Sequence, residues 1–265
     1  MTDPTSGLPR ITELAVKNYR VLRDVRFTGL TPLTALLGPN GSGKSTVLDV
    51  LHFLAEAANA TLWRAWSRRV DGQGIRSFGT SGPVEFELTA TPGPGSAEFR
   101  YHLSLDEDDL VVRREELFTR LPDRAAWSPL LVFRDGAGSV YPGGQGTERL
   151  AERGALALST FGGLDRYPAV VQFRRFLVGL RLSRISPDAV RDGRHASGHG
   201  LLLPTARNLP DVVRSIRTEH PNTFEMIIRS LRRYVPNLAD VQVERWQDEL
   251  IRPTLWTLCD PTRSG

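Results

Sequence analysis

The sequence predicts an α/β protein that combines a mixed sheet, an antiparallel β-meander and a helical lobe. Three observations predict this class. Apolar and polar residues alternate along several short segments before residue 145, as in half-buried strands. A glycine-rich loop at residues 38–43 stands between an apolar run and a helical pattern. After residue 146 the apolar residues recur at helical spacing.

The first part of the chain predicts three strands and a long helix. Residues 11–19 and 21–27 alternate between apolar and polar side chains, which predicts two strands. Residues 33–37 form an apolar run, which predicts a buried strand that ends at the glycine-rich loop. Apolar residues at helical spacing from Lys44 predict a helix to about Trp66. We therefore expect the loop at the centre of the mixed sheet.

The rest of the chain predicts hairpins followed by helices. Residues 84–89, 99–105 and 130–133 are separated by turn clusters, which predicts an antiparallel meander over residues 82–145. Pro210 suits the first turn of one later helix, and Asn222 or Thr223 suits the N-cap of the next. The helices expected are Thr147–Phe161, Pro168–Ile185, Leu209–His220 and Asn222–Tyr234.

Composition excludes several classes of protein. Of the 265 residues, 40% are hydrophobic and 24% are charged, which is typical of a globular chain. The single cysteine excludes an internal disulfide framework and a cysteine-cluster zinc site. No apolar run approaches the roughly 18 residues of a membrane span, and the N-terminus has no apolar signal segment. We expect a cytoplasmic protein with no membrane partner.

The basic residues are almost all arginines. Lys17 and Lys44 are the two lysines among the 34 basic residues, and the net charge is +4. Arginine-rich chains can bind phosphate backbones, although a codon bias towards arginine is the explanation that we favour. A dense arginine stretch could face DNA, but a solvated helix face is again the favoured interpretation. Its members are Arg174, Arg175, Arg181, Arg184, Arg191 and Arg194.

Residues 38–45 match the phosphate-binding loop pattern, G-x-x-x-x-G-K-[ST]. Glycines allow such a loop to bend around a phosphate and to turn its N–H groups inward. The helix that follows presents its positive N-terminus to the same anion. Lys44 can reach the β- and γ-phosphates of a nucleotide, Ser45 can ligate Mg²⁺, and Thr46 can donate to the α-phosphate. The loop therefore predicts binding of ATP and Mg²⁺.

Three segments resemble one branch of the ABC-type ATPases. Residues 38–46, Gly-Pro-Asn-Gly-Ser-Gly-Lys-Ser-Thr, resemble the loop of the RecF and SMC proteins, where Asn40 is distinctive. Residues 14–20, Leu-Ala-Val-Lys-Asn-Tyr-Arg, resemble the opening strand of that branch. Residues 203–210, Leu-Pro-Thr-Ala-Arg-Asn-Leu-Pro, are similar to a segment of stand-alone bacterial AAA-family ATPases. The resemblance is sharp over residues 10–58 and general to about residue 245.

The resemblance implies a two-lobed ATPase head. It implies a core over residues 1–81, the meander of the same head over 82–145, and a helical lobe over 146–265. It further implies a homodimer formed through the nucleotide site, whose motion is passed to DNA or to an effector protein. Within the site, it implies that Lys44 is the catalytic residue and that Ser45 is the metal ligand. The nucleotide ligands implied are Arg20, Gly38, Pro39, Asn40, Gly41, Ser42, Gly43, Lys44, Ser45 and Thr46.

The remaining motifs of that branch are missing from the pattern. Residues 102–107, His-Leu-Ser-Leu-Asp-Glu, superficially resemble a Walker B strand but fit a hairpin turn better, and residues 142–146 also fit a turn rather than a signature motif. Gln73 and Gln172 are candidates for the Q-loop glutamine, but neither has a distinctive sequence around it. His195 and His199 lack a third ligand for zinc. We therefore expect the N-terminal part of an ATPase whose core completion is missing, or a divergent product.

Two other functions stay open at the sequence level. A nucleotide-gated binding module would bind ATP with little turnover, which the missing catalytic glutamate favours. A P-loop kinase for a small molecule would use an arginine-rich lid at residues 181–194, but the long meander fits that class poorly. A role in DNA repair or in defence against foreign DNA follows only from the resemblance.

Overall fold

The computed structural model describes residues 9–69, 74–93, 95–142, 146–152, 154–191, 201–235, 237–246 and 250–257. The chain forms two compact units, and the boundary between them lies between Leu180 and Arg181. The helices are α1 Lys44–Asn59, α2 Leu62–Ser67, α3 Ala157–Phe161, α4 Pro168–Val178, α5 Pro187–Arg191, α6 Leu209–Glu219 and α7 Pro221–Leu231. The strands are β1 Arg10–Tyr19, β2 Leu22–Phe27, β3 Val84–Thr91, β4 Glu98–Asp106, β5 Val111–Arg120, β6 Ser128–Arg134, β7 Ala137–Val140, β8 Glu148–Arg149, β9 Leu238–Trp246 and β10 Leu250–Thr257.

The first unit is built on one eight-stranded sheet. Its strand order is β2-β1-β3-β4-β5-β6-β7-β8, and every neighbouring pair is antiparallel. The predicted α/β class and the predicted meander are confirmed. The expectation of a mixed sheet with the glycine-rich loop at its centre is wrong, because the described strands of this sheet contain no parallel pair and the loop lies outside it.

Helices α1, α3 and α4 cover one face of the sheet through aromatic contacts. Phe53 of α1 lies 5.4 Å, between ring centroids, from Phe86 of β3. Phe173 of α4 lies 5.5 Å from Phe99 of β4. Rings of this size bury large apolar areas and dominate the core energetics. The alternation seen in the sequence is the physical cause, because the apolar set of each strand faces these helices.

The strand predicted at residues 33–37 is absent, so that expectation is wrong. These residues form no strand and pair with none among the described residues, and Leu33 and Leu37 are 89% and 92% exposed. Thr34 Oγ1 donates to the carbonyl of Thr31 and accepts from the N–H of Thr31, which closes a turn that includes the first two residues of the run. An apolar run becomes a buried strand only when a neighbour covers it.

Several helix limits also differ from the prediction. The helix expected to reach Trp66 ends at Asn59, and α2 begins anew where Thr61 Oγ1 accepts from the N–H of Arg64. The helix expected from Thr147 begins only at Ala157, and α4 ends at Val178 rather than Ile185. Helical spacing does not reveal such breaks, because the apolar residues on both sides continue to face the core.

Strand β5 escaped the sequence analysis because its residues do not alternate. Both Glu115 and Glu116 are buried, and register shifts interrupt the pairing on both sides of the strand. The two carboxylates make the segment resemble a polar connection. The division of the head at residues 81 and 145 remains a prediction.

The second unit contains α5, α6, α7 and the β9–β10 hairpin. Pro210 lies in the first turn of α6, as expected. The N-cap of α7 is His220 without a side-chain bond, so the caps expected at Asn222 and Thr223 are wrong. The side chain of Asn208 is buried and bonds the backbone of Leu201 and Leu203 at the start of α6. The hairpin of β9 and β10 was missed. No helix among the described residues is long and apolar enough to cross a bilayer.

Glu115 joins the sheet to α3. Its carboxylate accepts from the N–H groups of Ala157 and Leu158, at 2.5 and 2.9 Å, and from the hydroxyl of Tyr101 at 2.9 Å. Burial raises the pKa of Glu115 to about 7, although these three bonds oppose that shift. The protonated form is therefore favoured in the folded state relative to the unfolded chain.

This shift predicts a pH-dependent stability. Between pH 4.5 and about 7 the folded state binds more protons at Glu115 than the unfolded chain, so the free energy of unfolding falls as the pH rises. Urea unfolding across this range should show that fall in the wild type and lose most of it in Glu115→Gln. An equal pH slope in the two proteins would contradict the assignment.

Candidate functional site

The glycine-rich loop is exposed and leads directly into α1. Gly41 and Gly43 have φ angles of 82° and 92°, which side-chain-bearing residues rarely adopt. A Cβ on Gly43 would lie 2.9 Å from Leu22 Cδ2 and 3.2 Å from Val21 Cγ1. The loop therefore requires glycine at residue 43 both for its backbone conformation and for the close approach of the β1–β2 turn.

Lys44 is folded back over the loop. Its ammonium donates to the carbonyls of Gly38 and Pro39, at 2.8 and 2.7 Å, and lies 3.4 Å from Ser42 Oγ. These contacts hold a positive charge above the loop backbone. A cation thus lies beside a bend that only glycine readily forms. Such a combination of positive charge and bent backbone is suited to binding an anion.

The N-terminus of α1 carries no compensating negative charge from its own residues. Gly43 is the N-cap, no side chain caps the helix, and no acidic residue stands in its first turn. The first N–H groups and the helix dipole therefore favour an anion at this end. Ser45, in this first turn, is exposed, and Thr46 is partly buried.

Arg20 lies at the tight turn between β1 and β2. Asn18 and Arg20 have φ angles of 57° and 51°, a conformation that costs free energy for residues with side chains. Asn18 Nδ2 donates to the carbonyls of Ser81 and Pro83, and the N–H of Arg20 donates to the carbonyl of Ile75. These bonds hold the turn whose next residues, Val21 and Leu22, contact Gly43.

Asp49 connects this turn to α1. It accepts from the hydroxyl of Tyr19 at 2.7 Å and from Nε of Arg69 at 3.0 Å, and it lies 3.5 Å from Nη1 of Arg20. Burial raises the pKa of Asp49, but the hydrogen bonds from Tyr19 and Arg69 outweigh burial and the pKa lies below its ordinary value. Burial also raises the pKa of Tyr19, and Asp49 adds to this effect. Asp49 is thus a stable anion beside a neutral phenol.

Arg69 is the buried centre of the same network. Its side chain is 5% exposed, and besides Asp49 it contacts Glu56 at 2.5 Å, the carbonyl of Ala65 at 2.7 Å and Nδ1 of His52 at 3.1 Å. Its carbonyl in turn accepts from Nη2 of Arg20 at 3.2 Å. We call Tyr19, Arg20, Asp49, Glu56 and Arg69 the acid–arginine network.

The sequence analysis named Arg20 but missed the rest of this network. The position of Asp49 gives a weak indication in the sequence that it lies near the site, because it stands four residues after Ser45 and so shares its helix face. Arg69 carries none, since its partners lie 13 and 20 residues away along the chain.

The other candidates lie away from the loop or outside the described residues. Glu107 accepts from the N–H groups of Ile75 and Arg76, and the turn it occupies joins β4 to β5, so the hairpin interpretation of residues 102–107 is confirmed. Gln172 contacts Ser96 Oγ, and Arg174 of the same helix donates to the carbonyl of Ala58 near the far end of α1.

The arginine stretch is not a single exposed face. Arg174 makes the bond to α1, and Arg194 lies outside the described residues, as do Gln73, residues 143–145, His195 and His199. Within the described part of the chain, no group of three or more His, Cys, Asp or Glu side chains could hold a metal ion.

Arg69 should be among the most costly side chains to remove. Arg69→Ala leaves Asp49 and Glu56 without their buried partner, and we expect the free energy of unfolding to fall by about 3–5 kcal/mol in urea titrations. Arg68 provides a matched control, because it also pairs with Glu56 but its side chain is 55% exposed. Arg68→Ala should cost under about 1 kcal/mol. Equal losses in the two variants would contradict the role of Arg69.

A family model matches residues 33–226 of the chain; its description is "AAA domain, putative AbiEii toxin, Type IV TA system". The matched range includes the loop and most of both units.

Three curated proteins are similar over short segments. The DNA replication and repair protein RecF of Acinetobacter baylyi (strain ATCC 33305 / BD413 / ADP1) is 41% identical over 46 residues, 17% of this chain and 13% of that protein. The OLD nuclease of Thermus scotoductus (strain ATCC 700910 / SA-01) is 49% identical over 41 residues, which are 16% of this chain and 8% of that protein. RecF of Prosthecochloris aestuarii (strain DSM 271 / SK 413) is 26% identical over 94 residues, which are 36% of this chain and 23% of that protein. The chain thus spans less than a quarter of each relative.

Proposed function

The chain belongs to this AAA domain family and is similar to RecF over short segments, and from that premise we propose that it is an ATPase that binds ATP at residues 38–46 and hydrolyses it with Mg²⁺. The observation that carries the proposal is the ammonium of Lys44 above the glycine-rich loop, at the uncapped N-terminus of α1. A polyphosphate chain would meet a cation, backbone N–H groups and a helix dipole at one place.

The loop provides this environment without a large change in the helix that follows. Val47 N–H already donates to the carbonyl of Gly43, so α1 begins at the loop. Lys44 bonds to carbonyl oxygens, which are neutral acceptors, and a phosphate oxygen is a stronger, charged one. In the proposal, the ammonium of Lys44 turns towards the β- and γ-phosphates when ATP binds and neutralises charge that develops during transfer to water.

The residues of the first helical turn fit a magnesium ion that arrives with the nucleotide. Mg²⁺ takes oxygen ligands and keeps several waters when phosphates supply part of its coordination. Ser45 is exposed and follows Lys44 directly, so its hydroxyl is the oxygen that this chain would contribute. Thr46 would donate to the α-phosphate. When bound, the ion would neutralise phosphate charge.

Arg20 is proposed as a further ligand of the nucleotide. Its turn contacts Gly43 through Val21 and Leu22, and its side chain is 39% exposed beside α1. A guanidinium in this position can donate to phosphate oxygens in the paired geometry that phosphate favours.

A nucleotide-gated binding module is the second candidate function. Asp106 and Glu107 are the one acidic pair that the sequence offered after an apolar strand, and Glu107 is bonded to backbone N–H groups of residues 75 and 76. Asp49 is likewise held by Tyr19 and Arg69. In this version the chain lacks a Walker B and a signature motif of its own and turns over little ATP by itself, and a partner senses whether ATP is bound.

The partners follow from the relatives and remain proposals. RecF is named for DNA replication and repair and OLD for nuclease activity, so DNA or a DNA-acting effector is the partner class that we propose. A homodimer formed through the nucleotide site would complete the ATPase. The description of the matching family also names a toxin and a type IV TA system, which is compatible with a role in defence.

Lys44→Ala tests the binding site. We expect calorimetric titration to show loss of ATP binding, with a Kd raised at least about 100-fold because a charged contact to phosphate is removed. Lys17 is the matched control, because it is the other lysine of the chain, 53% exposed, and it pairs with Glu85 on β3. Lys17→Ala should retain the wild-type Kd. Unchanged affinity in Lys44→Ala would overturn the proposal, provided that both variants melt near the wild-type Tm.

Phosphate release distinguishes the two candidate functions. Purified chain with saturating ATP and Mg²⁺ should release phosphate above the level of Lys44→Ala if it is an ATPase by itself. Tight ATP binding with release no greater than in Lys44→Ala would favour the binding module. A phosphorylated small-molecule product would instead indicate a kinase.

A further inference from the structure

We propose that Asp49 is a positioning residue that holds Arg20 for the phosphates of the bound nucleotide, with Tyr19 and Arg69 fixing Asp49 in turn. This inference rests on the proposed function, since it assumes that ATP binds at the loop. It adds residues that act through Arg20 and that do not touch the nucleotide themselves.

Arg20 is held loosely enough to take a further partner. Its guanidinium contacts the carbonyl of Arg69 at 3.2 Å and lies 3.5 Å from Asp49, and its side chain is 39% exposed. By contrast, Arg69 is 5% exposed and contacts two carboxylates and a carbonyl. Arg20 is therefore contacted by its neighbours but not buried by them, and its side chain keeps access to solvent.

Asp49 contacts Arg20 from α1, the helix into which the glycine-rich loop leads. It stands one helical turn after Ser45, and residues four apart lie on the same helix face. The turn that carries Arg20 approaches the same helix at Gly43, where Val21 lies 3.2 Å from the position of a Cβ. Asp49 thus contacts Arg20 itself, and Gly43 contacts Val21 and Leu22, the residues that follow Arg20 in the turn, so the turn lies against the start of α1.

Asp49 is itself fixed and is not available for other chemistry. One oxygen accepts from Tyr19 at 2.7 Å, and the other accepts from Arg69 at 3.0 Å. Its side chain is 15% exposed. A carboxylate held at both oxygens suits the fixing of a guanidinium better than the ligation of a metal or the abstraction of a proton.

Glu56 provides a matched control within the same network. It is the second carboxylate on Arg69, it lies two turns further along α1, and its side chain is 16% exposed, close to the exposure of Asp49. Its partners are Arg68, Arg69 and His52, and no contact with Arg20 is seen among the described residues. Glu56→Gln therefore perturbs Arg69 as Asp49→Asn does, but leaves Arg20 in place.

The test is a double-mutant cycle on ATP affinity. Asp49→Asn should raise the Kd for ATP about fivefold, and its effect should shrink to less than about twofold in an Arg20→Ala background, because the two residues act as one unit. Tyr19→Phe, which removes the hydroxyl that fixes Asp49, should raise the Kd in the same direction. Glu56→Gln should leave it within about twofold of the wild type, with Tm measured for every variant.

The outcomes separate this inference from the proposed function. If the wild type and Lys44→Ala both fail to bind ATP, the proposed function and this inference fall together. If the wild type binds and Lys44→Ala does not, the inference alone is overturned by an unchanged or lower Kd in Asp49→Asn. It is also overturned if Asp49→Asn has the same effect with and without Arg20, or if Glu56→Gln matches Asp49→Asn, since either result indicates a structural role only.

Discussion

The packing of Phe53 between Tyr19 and Phe86 fixes α1 on the sheet, and the position of the candidate site depends on it. Phe53 is fully buried, its ring centroid lies 6.0 Å from that of Tyr19 and 5.4 Å from that of Phe86, and the last two are 5.4 Å apart. Because a helix is rigid over several turns, this contact sets the direction of its N-terminus. The loop at residues 38–43 is presented at that end, while β1 supplies both a core ring and the turn beside the loop.

Electrostatic contacts link the same helix to β1 and to the segment after α2. Tyr19 contributes its ring to the core and its hydroxyl to Asp49, so one side chain joins the apolar contact to the acid–arginine network. Arg69, two residues after the end of α2, then holds two carboxylates of α1. Removing one member would leave a buried charge without its partner, which costs free energy, so we expect the network to favour this arrangement of β1, α1 and the segment after α2.

The sequence anticipated local features whose cause is local. Glycine at residues 41 and 43 signals left-handed backbone, and the structure has it there. Alternation in β3 and β4 follows from a sheet with one covered face. Prediction from the sequence failed where the structure depends on distant partners. Strand β5 carries the buried Glu115, whose carboxylate accepts hydrogen bonds from α3, about 40 residues later. Residues 33–37 have the composition of a strand but no pairing strand among the described residues. The roles of Lys44, Ser45 and Arg20 in nucleotide binding remain predictions.

The sequence by itself determined the loop, the helix that follows it, the presence of an antiparallel meander and the kinship with RecF/SMC-like ATPases, because spacing and residue type within short segments are sufficient for these. Only the tertiary structure decided that the sheet is antiparallel throughout its described strands and that Asp49 and Arg69 meet Arg20. Strand direction and ion pairing join residues far apart in the chain, and such contacts leave no periodicity for a sequence to display.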